Sequence, residues 1–210
     1  DGPMSLVIRP RADADLPALG RALVEQQPAS RYPHRDPLPM PAEDFVARPG
    51  AFATWTAELD GEPVGHVAVL PVRPDGHEPE LARLWSAGHG LPTERLGEIG
   101  VYFTSTAARG RGVGSALMRT ALDDLAERGL APCLDVVPFG VAADYYLRTG
   151  WVEVGRTRPS WLGDDAPDRP GPPCHHEGAD WPHDCTPRRP RHRSLSRHRS
   201  RHRERLCPPR

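Results

Sequence analysis

The chain has 210 residues, 27 of them basic and 28 acidic, which is enough for one domain of ordinary size plus a tail. No run of ~18 apolar residues predicts a membrane span. The start of the chain lacks the features of a secretory signal, so we expect a cytoplasmic location. Residues 1–165 hold 16 arginines against 23 acids, a net charge of −7, and residues 166–210 hold 11 arginines against 5 acids, a net charge of +6. This split predicts a domain at 1–165 and a separate basic tail at 166–210.

Hydrophobic periodicity and turn residues predict alternating elements in the first half of the chain. The predicted elements are a strand at 6–10, a helix from about 13 to 25, a proline-rich loop at 26–40, a brief helix at 41–46, and strands at 51–59 and 64–70. Asp60-Gly61 is a hairpin signal, although we expect the loop to exceed two residues. Residues 71–96 predict a long loop with a helical turn at 81–85, and such a loop is usually functional or mobile.

The second half predicts an α/β core, because strands and helices alternate along it. The predicted elements are a strand at 98–104, a glycine-rich stretch followed by a helix that stops at Gly129, a strand at 132–137, a short helix at 141–149 and a strand at 151–155.

A glycine-rich turn, Ala107-Ala-Arg-Gly-Arg-Gly-Val-Gly-Ser115, joins the strand at 98–104 to the following helix. Gly110, Gly112 and Gly114 allow unusual dihedral angles and a close approach of the backbone to a ligand. The first N–H groups of the helix then point outward at the positive end of its dipole. This arrangement predicts an anion site, and phosphate is its usual occupant.

The spacing of the turn excludes two common phosphate-binding loops. The sequence has no lysine, which a Walker loop requires, and Ser115 stands where G-x-G-x-x-G needs its last glycine. The pattern R-x-x-G-x-G is present as Arg109, Gly112 and Gly114. A glycine-rich turn without a ligand stays open as the alternative.

This strand–loop–helix resembles the coenzyme A pyrophosphate loop of the GNAT N-acetyltransferase superfamily. Tyr146-Leu-Arg-Thr-Gly-Trp151 is similar to the family's Y-x-x-x-G-F, and the resemblance covers residues of about 5 to 160. It implies a GNAT-like mixed, partly splayed β-sheet flanked by helices, with acetyl-CoA as co-substrate. The implied cofactor-binding residues are strand residues that act through their backbone, followed by the loop: Tyr102, Phe103, Thr104, Arg109, Gly110, Arg111, Gly112, Val113, Gly114 and Ser115.

Acetyl transfer to an amine needs a base and a group that protonates the leaving thiolate. Glu98 begins the central strand, and period-two alternation places it on the same face as Tyr102 and Thr104. Several family members use a glutamate at a similar place as the base, through water; the alternative is a solvated charge at the end of the strand. His66, with an ordinary pKa of ~6.5, is a second candidate base, although a lone strand histidine is more often a packed residue.

Tyr146 matches the family's proton donor to the thiolate, and its alternative role is a packed core aromatic. A tyrosine pKa of ~10 exceeds a thiol pKa of ~8.5, so proton transfer needs local tuning or is replaced by a hydrogen bond. Cys133 lies in an apolar strand and is predicted to be a core residue.

Two departures from the family pattern bear on this interpretation. An asparagine is common near the start of the helix that carries the tyrosine, where this chain has Phe139 and Gly140. The family also adds a seventh strand, and the Pro, Gly, His and Arg content after Asp164 shows no strand pattern. We therefore expect the sheet to end one strand short.

The tail is predicted to be disordered, because residues 186–210 have almost no apolar side chains to offset the entropy of ordering. Several potential metal ligands precede it, but their spacing matches no standard zinc pattern, so no metal is predicted; they are Cys174, His175, His176, His183 and Cys185. The arginine run could attract nucleic acid, but it lacks the interleaved aromatics of a stacking platform.

Together these patterns predict an acetyl-CoA-dependent N-acetyltransferase that acts on the amine of a small molecule or a peptide. The alternative is a non-catalytic acyl-CoA-binding regulatory module of the same fold. The sequence identifies neither the acceptor nor the oligomeric state, for which a homodimer is one option.

Overall fold

The computed structural model describes residues 5–136, 142–158 and 173–176. Five helices lie in these ranges: α1 Leu16–Ser30, α2 Ala42–Ala47, α3 Pro79–His89, α4 Val113–Glu127 and α5 Ala142–Arg148. The strands are β1 Leu6–Pro10, β2 Ala53–Leu59, β3 Glu62–Pro71, β4 Leu96–Thr104, β5 Ala131–Cys133, β6 Trp151–Glu153 and β7 Pro173–His176. The predicted α/β class is confirmed, and the strands form one mixed sheet.

The sheet has the strand order β1-β2-β3-β4-β5-β7-β6. Every pairing is antiparallel except the one between β4 and β5, which is parallel. A parallel pair needs a crossover connection, and α4 supplies it. The central strand β4 is therefore followed directly by the loop and helix that the sequence predicted.

Both faces of the sheet are covered. Apolar residues of α4 pack on one face, with Val113, Leu117 and Leu125 almost fully buried. Leu19 and Leu23 of α1, together with α2, cover the other face. The apolar stripe of α4 forms one side of this core, as its helical spacing predicts.

The hairpin between β2 and β3 is tighter than predicted. Leu59 pairs with Glu62, so the loop is only Asp60-Gly61. Both residues have positive φ, 52° and 89°, as the two-residue turn that matches the twist of a hairpin requires. The expectation of a longer loop is wrong, because Glu62 and Pro63 join the strand.

The long loop predicted at 71–96 contains a full helix, α3, rather than a single turn. Leu81, Trp85 and His89 are buried at helical spacing. Pro79 lies in the first turn and Gly90 ends the helix with φ 65°, positions that favour these two residues. The predicted loop is therefore interrupted by eleven helical residues.

The expectation that the sheet ends one strand short is also wrong. Pro173–His176 forms β7, which lies between β5 and β6, with Cys174 opposite Cys133 and His176 opposite Trp151. Four residues with little apolar alternation give almost no strand signal. The pairing comes instead from two strand edges that exist only once the domain has folded.

Several sequence predictions fall on residues that the structure does not describe: Phe139, Gly140, His183, Cys185, the predicted boundary at 165/166 and the remainder of the tail outside 173–176. None of the helices in the described ranges is long and apolar enough to cross a membrane. Within those same ranges, no three potential metal ligands form a cluster.

Candidate active site

The loop before α4 presents open backbone N–H groups. Gly110 and Gly112 are left-handed, with φ 75° and 77°, and Gly112 is the N-cap of α4. The first N–H to bond back into the helix is that of Ala116, which donates to the Gly112 carbonyl at 3.0 Å. The N–H groups of residues 113–115 come before this bond and have no intrahelical acceptor. They lie at the positive end of a fifteen-residue helix, an arrangement suited to an anion.

The backbone of this loop is open at two of its glycines. A Cβ atom built at Gly110 or Gly112 would meet no protein atom within 4 Å. Arg109 and Arg111 are exposed beside them, whereas Val113 is buried and offers only its backbone to a ligand. A side chain at position 114 would instead clash with the protein itself, since a Cβ built at Gly114 would lie 2.8 Å from the Tyr102 hydroxyl.

A gap opens between β4 and β5 just after Glu98. The parallel pairing covers only Leu96, Gly97 and Glu98. Residues 99–104 then pair with β3 alone among the strands of the described chain. The backbone groups predicted to bind cofactor, at Tyr102 to Thr104, lie along this divergent edge and lead towards the glycine-rich loop.

A β-bulge at Val101 changes which side chains share a face of β4. Val101 has φ 47°, and the register to β3 advances three residues on β4, from Gly100 to Phe103, while β3 advances two. Such an extra residue breaks the alternation of side chains. The prediction that Glu98 shares a face with Tyr102 and Thr104 is therefore wrong.

Glu98 belongs to the face that α1 and α2 cover. A Cβ at Gly100 would contact Leu70, a residue of the core beneath α1, and would lie 3.5 Å from the Glu98 carboxyl oxygen. Tyr102 and Thr104 instead face α4, where both approach Gly114. The two groups of side chains lie on opposite sides of one strand.

The surroundings of Glu98 favour its neutral form. Its pKa is raised to about 8, mainly by burial and secondly by the Asp135 carboxylate, while the Arg48 guanidinium opposes these effects. A carboxyl group with a pKa near the working pH is suited to proton transfer. Part of the residue is still exposed, so water has access to it.

His66 is fully buried and lies on the same face as Glu98. Its Nδ1 lies 2.9 Å from the Val101 carbonyl oxygen, and its ring stacks on Phe103 with centroids 6.0 Å apart. Burial lowers its pKa to about 4, so the ring is neutral at physiological pH. His66 matches the packed-residue alternative rather than a base in contact with solvent.

Tyr145 and Tyr146 are adjacent on α5 but differ in how far their side chains are exposed. Tyr146 is 9% exposed and packs edge-on against Trp151 with centroids 5.8 Å apart, whereas Tyr145 is 38% exposed. Burial is the main cause that raises the Tyr146 pKa, and Tyr102 contributes next. The hydroxyl of Tyr146 therefore stays protonated, and it lies on the Tyr102 side of β4.

Three residues that the sequence did not single out also surround the gap. Tyr32 packs against the buried cluster that contains Val101, and its ring meets Phe45 edge-on with centroids 6.2 Å apart. Arg48 lies over the Phe45 ring, with Cζ 4.9 Å from the ring centroid. Asp135 follows β5. The loop and brief helix at 26–48 carry no motif, so only the fold brings Tyr32 and Arg48 to this place.

Comparison with known proteins agrees with this geometry. A sequence model described as the acetyltransferase (GNAT) family matches residues 17–151. A search of curated proteins found no significant match to the chain.

Solved structures with the same fold cover most of the chain at low sequence identity. A ribosomal-protein-alanine N-acetyltransferase from Brucella melitensis is 22% identical, with a TM-score of 0.55 over 80% of this chain and 96% of its own. A GNAT acetyltransferase from the same organism, in complex with acetyl-CoA, is 20% identical, with a TM-score of 0.52 over 85% and 92%. The aminoglycoside acetyltransferase AAC(6')-Ib in complex with coenzyme A is 17% identical, with a TM-score of 0.56 over 82% and 95%.

The family match spans more than half of the 210 residues and includes the central strand, the glycine-rich loop and the helix that carries Tyr146. The chain therefore belongs to the acetyltransferase (GNAT) family.

Proposed function

We propose that the protein is an acetyl-CoA-dependent N-acetyltransferase that transfers the acetyl group directly to an amine. The observation that carries this proposal is the arrangement around β4. An open glycine-rich loop follows the strand, the edge of β4 leaves β5 after Glu98, and Glu98 and Tyr146 lie on opposite faces of the sheet. A donor thioester held along that edge would have one side chain for the attacking amine and another for the leaving sulfur.

The glycine-rich loop is the proposed site for the pyrophosphate of coenzyme A. The N–H groups of Val113, Gly114 and Ser115 supply donors there, and Arg109 and Arg111 add positive charge. The backbone of Tyr102, Phe103 and Thr104 would hold the pantetheine arm and the acetyl carbonyl, because no strand of the described residues pairs with this edge of β4. When bound, acetyl-CoA supplies an activated acetyl group.

Glu98 is the proposed base. It takes a proton from the acceptor ammonium, directly or through water, and so frees the lone pair on nitrogen. The nitrogen attacks the thioester carbonyl carbon, a C–N bond forms, and the C–S bond breaks. No atom is oxidised or reduced. The nitrogen loses its second proton as the amide forms, which balances the proton that the coenzyme A thiolate takes up, and Glu98 returns the first proton to water.

Tyr146 is proposed to assist the leaving sulfur. Its raised pKa makes full transfer of its proton to a thiolate unfavourable, since a thiol has a pKa of ~8.5. A hydrogen bond from the Tyr146 hydroxyl to the developing thiolate fits this environment better. The low polarity around the ring strengthens such a bond.

The structural neighbours support acetyl-CoA as the acetyl donor, but they do not identify the acceptor amine. Some are complexes with acetyl-CoA or coenzyme A. Their names cover a ribosomal-protein alanine and an aminoglycoside, so the shared fold does not choose between a peptide and a small molecule.

A thiol-release assay with acetyl-CoA over a panel of amines tests the proposal, alongside calorimetric binding of acetyl-CoA. Binding with turnover of an amine supports the enzyme. Binding without turnover of any amine would favour the non-catalytic acyl-CoA-binding module, and an absence of binding would overturn both.

A further inference from the structure

We propose that the acceptor amine carries a carboxylate, as an amino acid does, and that Arg48 binds this carboxylate beside the gap between β4 and β5. This inference rests on the proposed function and names the acceptor class for that site. Its basis is the chain of contacts that places Arg48 on the Glu98 side of the central strand.

The position of Arg48 is set by aromatic packing. Its guanidinium carbon lies 4.9 Å from the centroid of the Phe45 ring. Tyr32 meets Phe45 edge-on, and both rings pack against the buried cluster that contains Val101 of the β4 bulge. An arginine stacked on an aromatic ring loses less freedom when it binds a planar anion. Arg48 is thus held near the bulge while remaining exposed.

Arg48 is available to bind a ligand. Among the described residues, no carboxylate forms an ion pair with it. Arg11, the other arginine close to this side, is mostly buried and donates to the Val46 carbonyl at 2.9 Å. Arg48 lies over Phe45, which packs on the same face of the sheet as Glu98, and its positive charge lowers the pKa of Glu98 and of His66.

The position of Arg48 also argues against a role in binding coenzyme A. The pyrophosphate loop precedes α4, which covers the opposite face of the sheet from α1 and α2. Arg48 follows α2, so it faces the acceptor side. An acceptor with both an amine and a carboxylate matches the two groups found there, because Glu98 receives the amine and Arg48 offers paired donors to the carboxylate.

The inference predicts selectivity between matched acceptors. We would measure acetylation of the common L-amino acids and of their C-terminal carboxamides, which keep the amine and lose the negative charge. The free acids should be preferred by about 10- to 100-fold in kcat/KM, the range expected for a hydrogen-bonded charge pair. Equal or better turnover of the carboxamides would overturn the proposal, as would acetyl-CoA binding without acetylation of any free amino acid.

Variants of Arg48 locate the preference. Arg48→Ala should raise KM for the free acid by about 10- to 100-fold, with acetyl-CoA affinity nearly unchanged. The lost charge also acts on Glu98, but that effect on kcat should be the same for the acid and its carboxamide, so the change in KM should be confined to the acid. Arg48→Lys should restore only part of the affinity, since lysine lacks the planar pair of donors. Arg83→Ala, a change at an exposed arginine of α3, is the matched control. If the Arg48→Ala protein still prefers the free acid to the same extent, Arg48 does not bind the acceptor carboxylate.

Failure of this inference differs from failure of the proposed function. If acetyl-CoA does not bind to the wild-type protein in calorimetry, the transferase assignment itself fails. If acetyl-CoA binds, and amines without a carboxylate are acetylated as efficiently as free amino acids, only the proposed acceptor class is wrong.

Discussion

The imidazole Nδ1 of His66 lies 2.9 Å from the carbonyl oxygen of Val101, the residue at the centre of the β4 bulge. Since the pKa of His66 is lowered to about 4, the neutral ring donates this hydrogen bond at physiological pH. This bond helps to hold Val101, a non-glycine residue, in a left-handed conformation that costs about 1–3 kcal/mol.

We predict that His66→Ala destabilises the protein by about 2–4 kcal/mol. It removes a buried ring and leaves the Val101 carbonyl without its donor. Urea denaturation would measure the loss in the free energy of unfolding. His77→Ala, a substitution at an exposed histidine, is the control. A His66→Ala protein as stable as the control would mean that the bulge does not depend on this bond. Because wild-type His66 does not titrate near neutrality, the pH–rate profile should show no step from it between pH 5 and 8.

Glu98→Gln should abolish most of the turnover and raise stability at neutral to alkaline pH. The folded-state pKa of Glu98, about 8, lies above its unfolded value of ~4.3. Between these values the unfolded state binds fewer protons, so stability falls as pH rises through this window. The amide removes that dependence, and we expect a gain of about 1–2 kcal/mol at pH 8 and little change at pH 4.

Denaturation of Glu98→Gln and wild type at both pH values measures this difference. Wild-type kcat should rise with pH through about 8, and the residual activity of Glu98→Gln should lose that step. If the variant keeps the wild-type profile, another group is the base.

Tyr146→Phe should reduce kcat by ~10- to 1000-fold, the range for loss of a proton-donating group. The ring and its contact with Trp151 remain, so stability and acetyl-CoA affinity should change little. Tyr145→Phe, on the exposed neighbour, serves as the matched control and should be close to neutral. A damaging Tyr145→Phe together with a harmless Tyr146→Phe would reverse the assignment, and two harmless changes would leave Tyr146 as a packing residue.

Gly112→Ala should weaken acetyl-CoA binding strongly, because its Cβ enters the open space in front of the loop at a positive φ. Gly61→Ala is a close control: it has φ 89°, has equally open surroundings and lies in the β2–β3 hairpin. Both variants carry a similar backbone cost, so only a ligand at the loop separates them. Calorimetry with acetyl-CoA makes the comparison, and equal affinities in the two folded variants would contradict the loop assignment.

Arg109→Ala should weaken binding less than Gly112→Ala does, since most donors to the anion are backbone N–H groups. The same calorimetric series tests this order. A larger loss at Arg109 would show that side-chain charge, rather than backbone, dominates recognition.

Two truncations separate β7 from the basic tail. Ending the chain after His176 keeps the strand that pairs with β5 and β6, so folding and acetyl-CoA binding should persist. Ending it after Asp165 removes that strand and should lower stability markedly, because the edges of β5 and β6 lose their shared partner. Thermal denaturation and calorimetry of both forms test this. Equal stability of the two truncated proteins would mean that β7 contributes nothing.

The sequence by itself determined the class of fold and the glycine-rich loop before α4. Loop and stripe are local properties: glycine at Gly112 permits a left-handed N-cap, and apolar residues at helical spacing around Leu117 form the face of α4. The family pattern singled out Tyr146, which stands four residues before Gly150 and is buried in the structure.

Only the tertiary structure decided which groups meet around β4. The extra residue at Val101 reverses the face predicted for Glu98, and no sequence pattern marks a bulge at a valine. Tyr32 and Arg48 reach the gap because α1 and α2 pack on one face of the sheet. β7 likewise exists because β5 and β6 leave two edges to pair. In each case the deciding interactions join residues far apart in the chain, and local propensity carries no information about those contacts.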